Sequence, residues 1–196
     1  MKREYIMRGK RVAIEELEGI LAVMPRDRAM VREEVSRAFG GSADIKQEEE
    51  RRAFEKGGWA FVRASADLTR AVESRTAVQG AEAVQRVFLH PSGRILLGTD
   101  RLSVRLRAEI TEQQVSAALD AAGLEIIGQL KFSPNLYEVR TRPGRDFLQT
   151  SLDLSGNPDF AYAEPQFIEH IPQRAVPTDQ RYGQQWHLNN TGQKIG

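Results

Sequence analysis

The fold is decided by residues 102–163, LSVRLRAEITEQQVSAALDAAGLEIIGQLKFSPNLYEVRTRPGRDFLQTSLDLSGNPDFAYA. Apolar and polar residues alternate over Leu102–Leu106, which is the pattern of a half-buried strand. Thr111 and Gln114 form a capping box that predicts the start of a helix, and Gly123 predicts its end. The stretch therefore opens with a strand followed by a helix.

Two strands and a second helix complete this stretch. Strands are predicted at 124–130 and 136–140, on either side of a turn at Ser133-Pro-Asn. Asp146 is the predicted N-cap of the second helix, and Phe160–Ala163 is a short final strand. The order strand–helix–strand–strand–helix–strand is typical of a ferredoxin-like module, in which two helices back an antiparallel sheet.

The first half of the chain repeats this order in weaker form. A hairpin is predicted to turn at Gly9. Strands are predicted at 20–24, 59–63 and 84–89. One helix is predicted at 28–39, with Asp27 as its N-cap, and another begins after Ser65. In the first helix Met30, Val31, Val35 and Ala38 are expected to face inward. We therefore predict an α+β chain of two tandem ferredoxin-like modules, residues 1–98 and 99–165, each with its own antiparallel sheet.

Residues 42–56 are dense in charge, with six charged side chains between Lys46 and Arg52. This composition is typical of a solvated helix or a mobile loop. The alternative hypothesis is a secondary processing site after Arg51-Arg52.

Composition excludes several classes of protein. Of 196 residues, 40% are hydrophobic and 28% charged, which is ordinary for a globular protein, and the net charge of +1 argues against nucleic acid or an anionic membrane as partner. The absence of cysteine excludes disulfides and thiolate metal sites. No apolar run approaches membrane-spanning length, and no signal peptide follows Met1. We expect a cytoplasmic protein if Met1 is the native start, and a secreted one if a leader was removed.

The C-terminal part changes character after Ala163. Residues 164–178 contain three prolines and no apolar periodicity, so an extended connector without packing of its own is expected, with 166–178 as the linker. Residues 179–193 are polar and aromatic, and their composition indicates the start of another domain.

A family resemblance lies in this part of the chain. The run Val176–Gln193, VPTDQRYGQQWHLNNTGQ, resembles the first residues of the mature domain of subtilisin-like serine peptidases, the subtilases, which carry Pro-x-Asp-x-x-Tyr/Phe-x-x-Gln-Trp-x-Leu. The preceding Asn157–Phe167 is similar to the last strand and exit of a subtilase propeptide. The resemblance implies that 179–196 begins a catalytic domain and that the modules before it are the prodomain.

The resemblance also implies a function, that of an intramolecular chaperone and autoinhibitor. The sheet of the second module would pack on two surface helices of the catalytic domain. The exit segment Gln166–Arg174 would lie in the active-site cleft as an added strand. The implied cleft-binding residues are Phe167, Ile168, Glu169, His170, Ile171, Pro172, Gln173 and Arg174. The implied processing bond is Arg174–Ala175, with Ile171 in an apolar subsite; alternatively, Arg174 is an ordinary linker residue and cleavage occurs nearby or in several steps.

No set of catalytic residues is predicted, and taken alone the chain is not expected to be an enzyme. It lacks the nucleophile segment of a subtilase, and its histidines, His90, His170 and His187, are far apart and are expected to have surface or hydrogen-bonding roles. Asp179 matches a calcium-binding aspartate of the convertase-like subtilases. Because one carboxylate cannot build such a site, calcium is implied for the full-length protease and no cofactor for this fragment.

Other functions remain open. One is a freestanding protease inhibitor that acts in trans, for which residues 179–196 would be superfluous. Another is a ferredoxin-like module that binds a protein, a small molecule or RNA. RNA binding would require aromatic residues on the strands and a basic face, and the second module offers mainly Tyr137, Phe160 and Tyr162. The first module could bind a separate partner or delay activation.

Overall fold

A computed structural model describes residues 1–131 and 133–171. Within these ranges the chain is α+β, with eight strands and five helices. The elements in chain order are β1 (Lys2–Met7), β2 (Lys10–Pro25), α1 (Arg32–Phe39), α2 (Glu48–Lys56), β3 (Ala60–Arg63), α3 (Ala66–Ser74), β4 (Ala81–Leu89), β5 (Ile95–Leu106), α4 (Glu112–Ala121), β6 (Leu124–Gln129), β7 (Leu136–Thr141), α5 (Phe147–Ser155) and β8 (Phe160–Glu169).

All eight strands belong to one antiparallel sheet. Its main order is β1-β2-β4-β5-β7-β6, while β3 pairs with β2 and β8 pairs with β5. The two long strands change partners along their length. Strand β2 pairs first with β1 and then with β3, and β5 pairs first with β4 and then with β7. The two predicted modules therefore share one sheet, and the predicted boundary between residues 98 and 99 lies inside β5.

Each long strand is bent near its middle. The register of β2 breaks between Glu16 and Leu21, and that of β5 breaks between Gly98 and Leu102. A residue in the left-handed region lies at each break, Gly19 with a φ of 75° and Asp100 with a φ of 58°. Such bulges bend a strand and increase its twist, which lets one strand serve two sets of partners.

Apolar clusters cover both faces of the sheet in the first half. Leu21 and Val23 of β2 pack with residues of α1 and α3, whereas Ala22 packs with Phe54 of α2 and Phe61 of β3. Because successive strand residues point to opposite faces, α2 lies on the face opposite to α1 and α3.

The second half is covered on one face. Leu102, Val104 and Leu106 are buried against α4 and α5, while Ser103 is partly exposed and Arg105 exposed. This cluster extends to β1, β2 and β4 through Tyr5, Ile14 and Phe88, so it also joins the two halves.

The structure confirms most predicted caps. Ser65 accepts a hydrogen bond from the Leu68 amide at 3.2 Å, and Asp146 accepts one from the Gln149 amide at 2.9 Å. The capping box of α4 is also present. The charged segment 42–56 contains the helix α2, as one of the two predicted states had it, but one side of this helix packs on the sheet through Phe54 and is not solvated.

The predicted start of the first helix was wrong. Helix α1 begins at Arg32, because the Asp27 carboxylate accepts the Ala29 amide in a local turn instead of capping a helix. With this start, Val35 and Phe39 face the core, so Val31 and Ala38, both predicted to face inward, are exposed.

The expected connector from residue 164 was also wrong in its first part. Strand β8 continues to Glu169, and Phe167 and Ile168 pair with Gly98 and Leu97 of β5. Both side chains are half-buried against the core. Pro165 is compatible with this strand because β8 pairs on one edge only among the described residues, and an edge strand tolerates a missing amide.

Candidate functional site

The candidate site is the uncovered face of the sheet in the second half, formed by β5, β7 and β8. We call it the open face, and its residues are Arg101, Ser103, Arg105, Glu138, Arg140, Tyr162, Glu164 and Gln166. The strand registers place these side chains together, since Ser103 lies opposite both Glu138 and Glu164. The alternation that buries Leu102 and Val104 directs the residues between them to this face.

The open face is polar and carries charges of both signs. The Arg101 guanidinium lies 2.9 Å from the Glu138 carboxylate, and the two side chains are 40% and 24% exposed. Glu164 accepts a hydrogen bond from the backbone amide of Arg8 at 2.6 Å, which ties the β1–β2 turn to β8. Arg105, in contrast, is exposed. Partly exposed charges of both signs are typical of the polar rim of a protein–protein interface, whereas the core of an interface is depleted of charge.

The predicted cleft-binding segment begins inside the sheet. The Phe167 ring lies 5.2 Å from the ring of Tyr5 and 5.7 Å from that of Phe147, measured between centroids. Glu169 forms an ion pair with Arg94 at 2.7 Å. These contacts stabilise the end of β8.

Beyond β8, the chain becomes exposed within two residues. His170 is partly exposed, with Nδ1 3.9 Å from Glu50 of α2, and Ile171 is 82% exposed. The processing bond Arg174–Ala175, the remaining tail residues Pro172 and Gln173, and the calcium candidate Asp179 lie outside the described residues. Those assignments stay predictions.

A further ionic junction links the second half of the sheet to the first half, and its aspartate was predicted only as a helix cap. Asp146, the N-cap of α5, forms ion pairs with Arg3 of β1 and with Arg86 of β4, the latter at 2.9 Å. Burial by itself raises the pKa of Asp146, but the Gln149 amide and the two arginines together lower it below its usual value. The capping signal was visible in the sequence, whereas the arginine partners are distant along the chain.

The described residues offer no evident metal site. Among them, no group of three or more His, Asp or Glu side chains is arranged to hold an ion. Two of the three histidines are described, and His90 forms a hydrogen bond with Ser92 in the β4–β5 turn at 2.8 Å. None of the helices in residues 1–131 and 133–171 has the length and apolar character needed to span a bilayer.

A scan against protein-family models finds no match, and a search among curated proteins finds no similar sequence.

Proposed function

We propose that this chain is the propeptide region of a subtilisin-like serine endopeptidase, an intramolecular chaperone and autoinhibitor of the catalytic domain that would begin at residue 179. The observation that carries the proposal is the open face of the second half. It is the face that the resemblance assigns to docking, and the described residues leave it uncovered while they cover both faces in the first half. No catalytic role is proposed for the chain itself.

Strand order supports tandem ferredoxin-like modules as part of this proposal. In the second half, the sheet order β8-β5-β7-β6 is that of such a module, with α4 and α5 as its helices. In the first half, β4-β2-β3 has the corresponding order. Ser42 forms an isolated bridge with Val62, which belongs to β3. Ser42 is therefore in the position, next to β3, that corresponds to β6 in the second half. Helix α2 would then be an insertion.

The long strands support the same relation. Each is preceded by a hairpin partner, β1 for β2 and β4 for β5. Each then passes through a bulge with a left-handed residue, Gly19 or Asp100, before it enters its module. Two unrelated halves would not be expected to share both features.

The extension of β8 sharpens the inhibitory part of the proposal. Phe167 and Ile168 are held by the core, so the segment that enters the cleft would begin near His170. Ile171 is exposed and free to fill an apolar subsite. The chain would then inhibit by lying in the cleft as an extended strand with backbone pairing.

The test is inhibition of a bacterial subtilisin by the full chain and by a chain that ends at His170, which keeps β8. We expect the full chain to inhibit and the shortened chain to lose about a hundredfold in affinity, or about 2.7 kcal/mol. Arg105→Glu on the open face is expected to weaken inhibition about tenfold, since a reversed charge at a docked surface is penalised. Mass spectrometry would locate the cleaved bond.

The matched control for Arg105→Glu is Arg52→Glu, a charge reversal on the outer side of α2, where the Arg52 side chain is 67% exposed. It should leave inhibition unchanged. If the full chain neither inhibits nor is cleaved near Arg174, the proposal fails. If Arg52→Glu and Arg105→Glu weaken inhibition equally, docking through the open face is wrong.

A further inference from the structure

A cavity of about 650 Å³ lies where the sheet divides. Strands β4 and β7 pair with successive parts of β5 and separate at its bulge, residues 98–101. The cavity occupies the gap between them and is bounded by β4, the end of α3 and the loop that follows it. We call it the fork cavity. Its volume is in the range of cavities that bind small molecules.

The walls of the fork cavity are strongly basic. Six arginines and three acidic residues line it. The arginines are Arg26, Arg75, Arg86, Arg101, Arg140 and Arg145, and the acidic residues are Glu73, Glu82 and Asp100. Because the net charge of the whole chain is only +1, this excess is local. A cleft whose lining has an excess of one charge sign attracts ions of the opposite sign.

Arg75 and Asp100 form the centre of the charged wall. The Arg75 Nε lies 2.7 Å from an Asp100 carboxylate oxygen, and Arg140 Nε lies 3.8 Å from the other. Burial raises the pKa of Asp100, although Arg75 and Arg140 oppose this. One partly buried carboxylate thus faces two guanidinium groups, and it cannot pair fully with both.

Two buried donors are left without an acceptor. Arg75 Nη1 and Arg140 Nε are buried and have no hydrogen-bond partner among the described residues. A buried unsatisfied donor costs about 1–3 kcal/mol, more for a charged group. A guanidinium matches carboxylate and phosphate geometry, so a small movement of these two side chains toward the cavity would let an oxyanion supply the missing acceptor oxygens.

Two further arginines are directed to backbone groups. Arg26 Nε donates to the Ala81 carbonyl at 3.0 Å, and Arg145 donates to the Ala122 carbonyl at 3.4 Å. The hydrogen-bond acceptor is thus a neutral backbone carbonyl in both cases and not a carboxylate. Their positive charges therefore remain available to an anion. Phe147 and Phe167 add an apolar part to the lining.

We propose that the fork cavity binds a small anionic molecule that carries carboxylate or phosphate groups. This inference does not depend on the proposed prodomain function, since the cavity lies at the junction of the two halves and is built by their packing. Arg75 and Arg140 would bind the anionic groups. The neighbouring phenylalanines would contact a less polar part of the ligand.

In the experiment, the full chain is titrated with inorganic pyrophosphate in one arm and with citrate in the other, at constant ionic strength. Amide NMR spectra are recorded at each step of the titration. We expect saturable shifts at the Gly98 and Thr99 amides. Preference for pyrophosphate would identify a phosphate ligand, and preference for citrate a carboxylate ligand. Arg140→Gln is expected to weaken binding about tenfold. The matched control is Arg105→Gln, which removes the same charge from the neighbouring strand outside the cavity and should change binding less than about twofold.

Two results would overturn the proposal. One is the absence of saturable shifts at Gly98 and Thr99 in the unaltered chain with either probe, a result that does not depend on the folding of any variant. The other is equal weakening by Arg140→Gln and Arg105→Gln, which would indicate diffuse attraction by surface charge. Arg26→Gln provides a second cavity variant at an exposed position and should weaken binding in the same direction.

Discussion

The two halves of the sheet differ in how many of their faces are covered. In the first half, Ala60, Phe61 and Val62 of β3 are consecutive and all buried, because helices lie on both faces. In the second half, burial alternates along β5, since α4 and α5 cover one face. Under the proposed function, the first half would provide a closed, packed support, and the second half would keep one face for docking.

The largest expected difference between the halves comes from side chains on the face that α2 covers. Phe61→Ala should lower the free energy of unfolding by about 3–5 kcal/mol, because it leaves a cavity in a closed cluster. Ser103→Ala, on the open face, should change it by less than about 0.5 kcal/mol. Urea denaturation measures both. Similar losses for the two variants would contradict the assignment of an uncovered face.

Two glycines, one at the junction of the halves and one in the second half, provide the next test. A Cβ at Gly98 would lie 2.8 Å from the ring of Phe88 and 2.9 Å from that of Phe147. Gly98→Ala should therefore cost about 1–3 kcal/mol through overpacking at the junction of the halves. The control is Gly128→Ala in β6, where a Cβ meets no atom within 4 Å. It should be neutral or stabilising by about 0.5 kcal/mol in thermal or urea unfolding.

The charged junction between the halves should make stability depend on pH. Asn is as good an N-cap as Asp, so Asp146→Asn removes mainly the interaction with Arg3 and Arg86, and we expect a loss of about 1–2 kcal/mol at neutral pH. The pKa of Asp146 is lower in the folded state than in the unfolded chain. The stabilisation is therefore fully present at pH values above the ordinary pKa of 3.8, and it is lost as the pH falls through the lower pKa of the folded state.

Urea unfolding of Asp146→Asn and the unaltered chain at several pH values would measure this effect. The two stabilities should converge at acidic pH, whereas Asp153→Asn, at an exposed position of the same helix, should show no comparable difference. If the difference in free energy of unfolding between Asp146→Asn and the unaltered chain does not change with pH, the charge of Asp146 does not contribute to stability.

The smallest change in the free energy of unfolding is expected for a substitution on the outer side of α2. Arg52 and Glu48 form an ion pair at 2.9 Å, with both side chains about two-thirds exposed (67% and 66%). Arg52→Gln should cost no more than about 0.5 kcal/mol, and the difference should disappear at high salt. A loss that persists in high salt would show that this surface of the first half contacts more than solvent.

The sequence predicted features with local causes better than features with distant ones. The caps at Ser65 and Asp146 were predicted because a cap and its amide partner lie three residues apart. The continuation of β8 was not, because Pro165 suggested a break and the pairing partner of Phe167, Gly98, is far along the chain. The open face was implied by the alternation at 102–106.

The fork cavity could not have been predicted in this way. Arg75, Asp100 and Arg140 come from three separate parts of the chain and share no spacing or motif. What brings them together is the bulge in β5, and an aspartate in a left-handed conformation gives no periodic signal. The pairing of these residues depends on the packing of one half against the other.

The outer edge of β8 has a consequence for solubility. Among the described residues β8 pairs with β5 alone, so its other edge could recruit a strand from a second copy and begin aggregation. Three features oppose this. Pro165 has no amide to donate, the Glu164 carboxylate is engaged by the Arg8 amide, and the Tyr5 ring covers Phe167. The same segment that ends the sheet thus also protects it from growing.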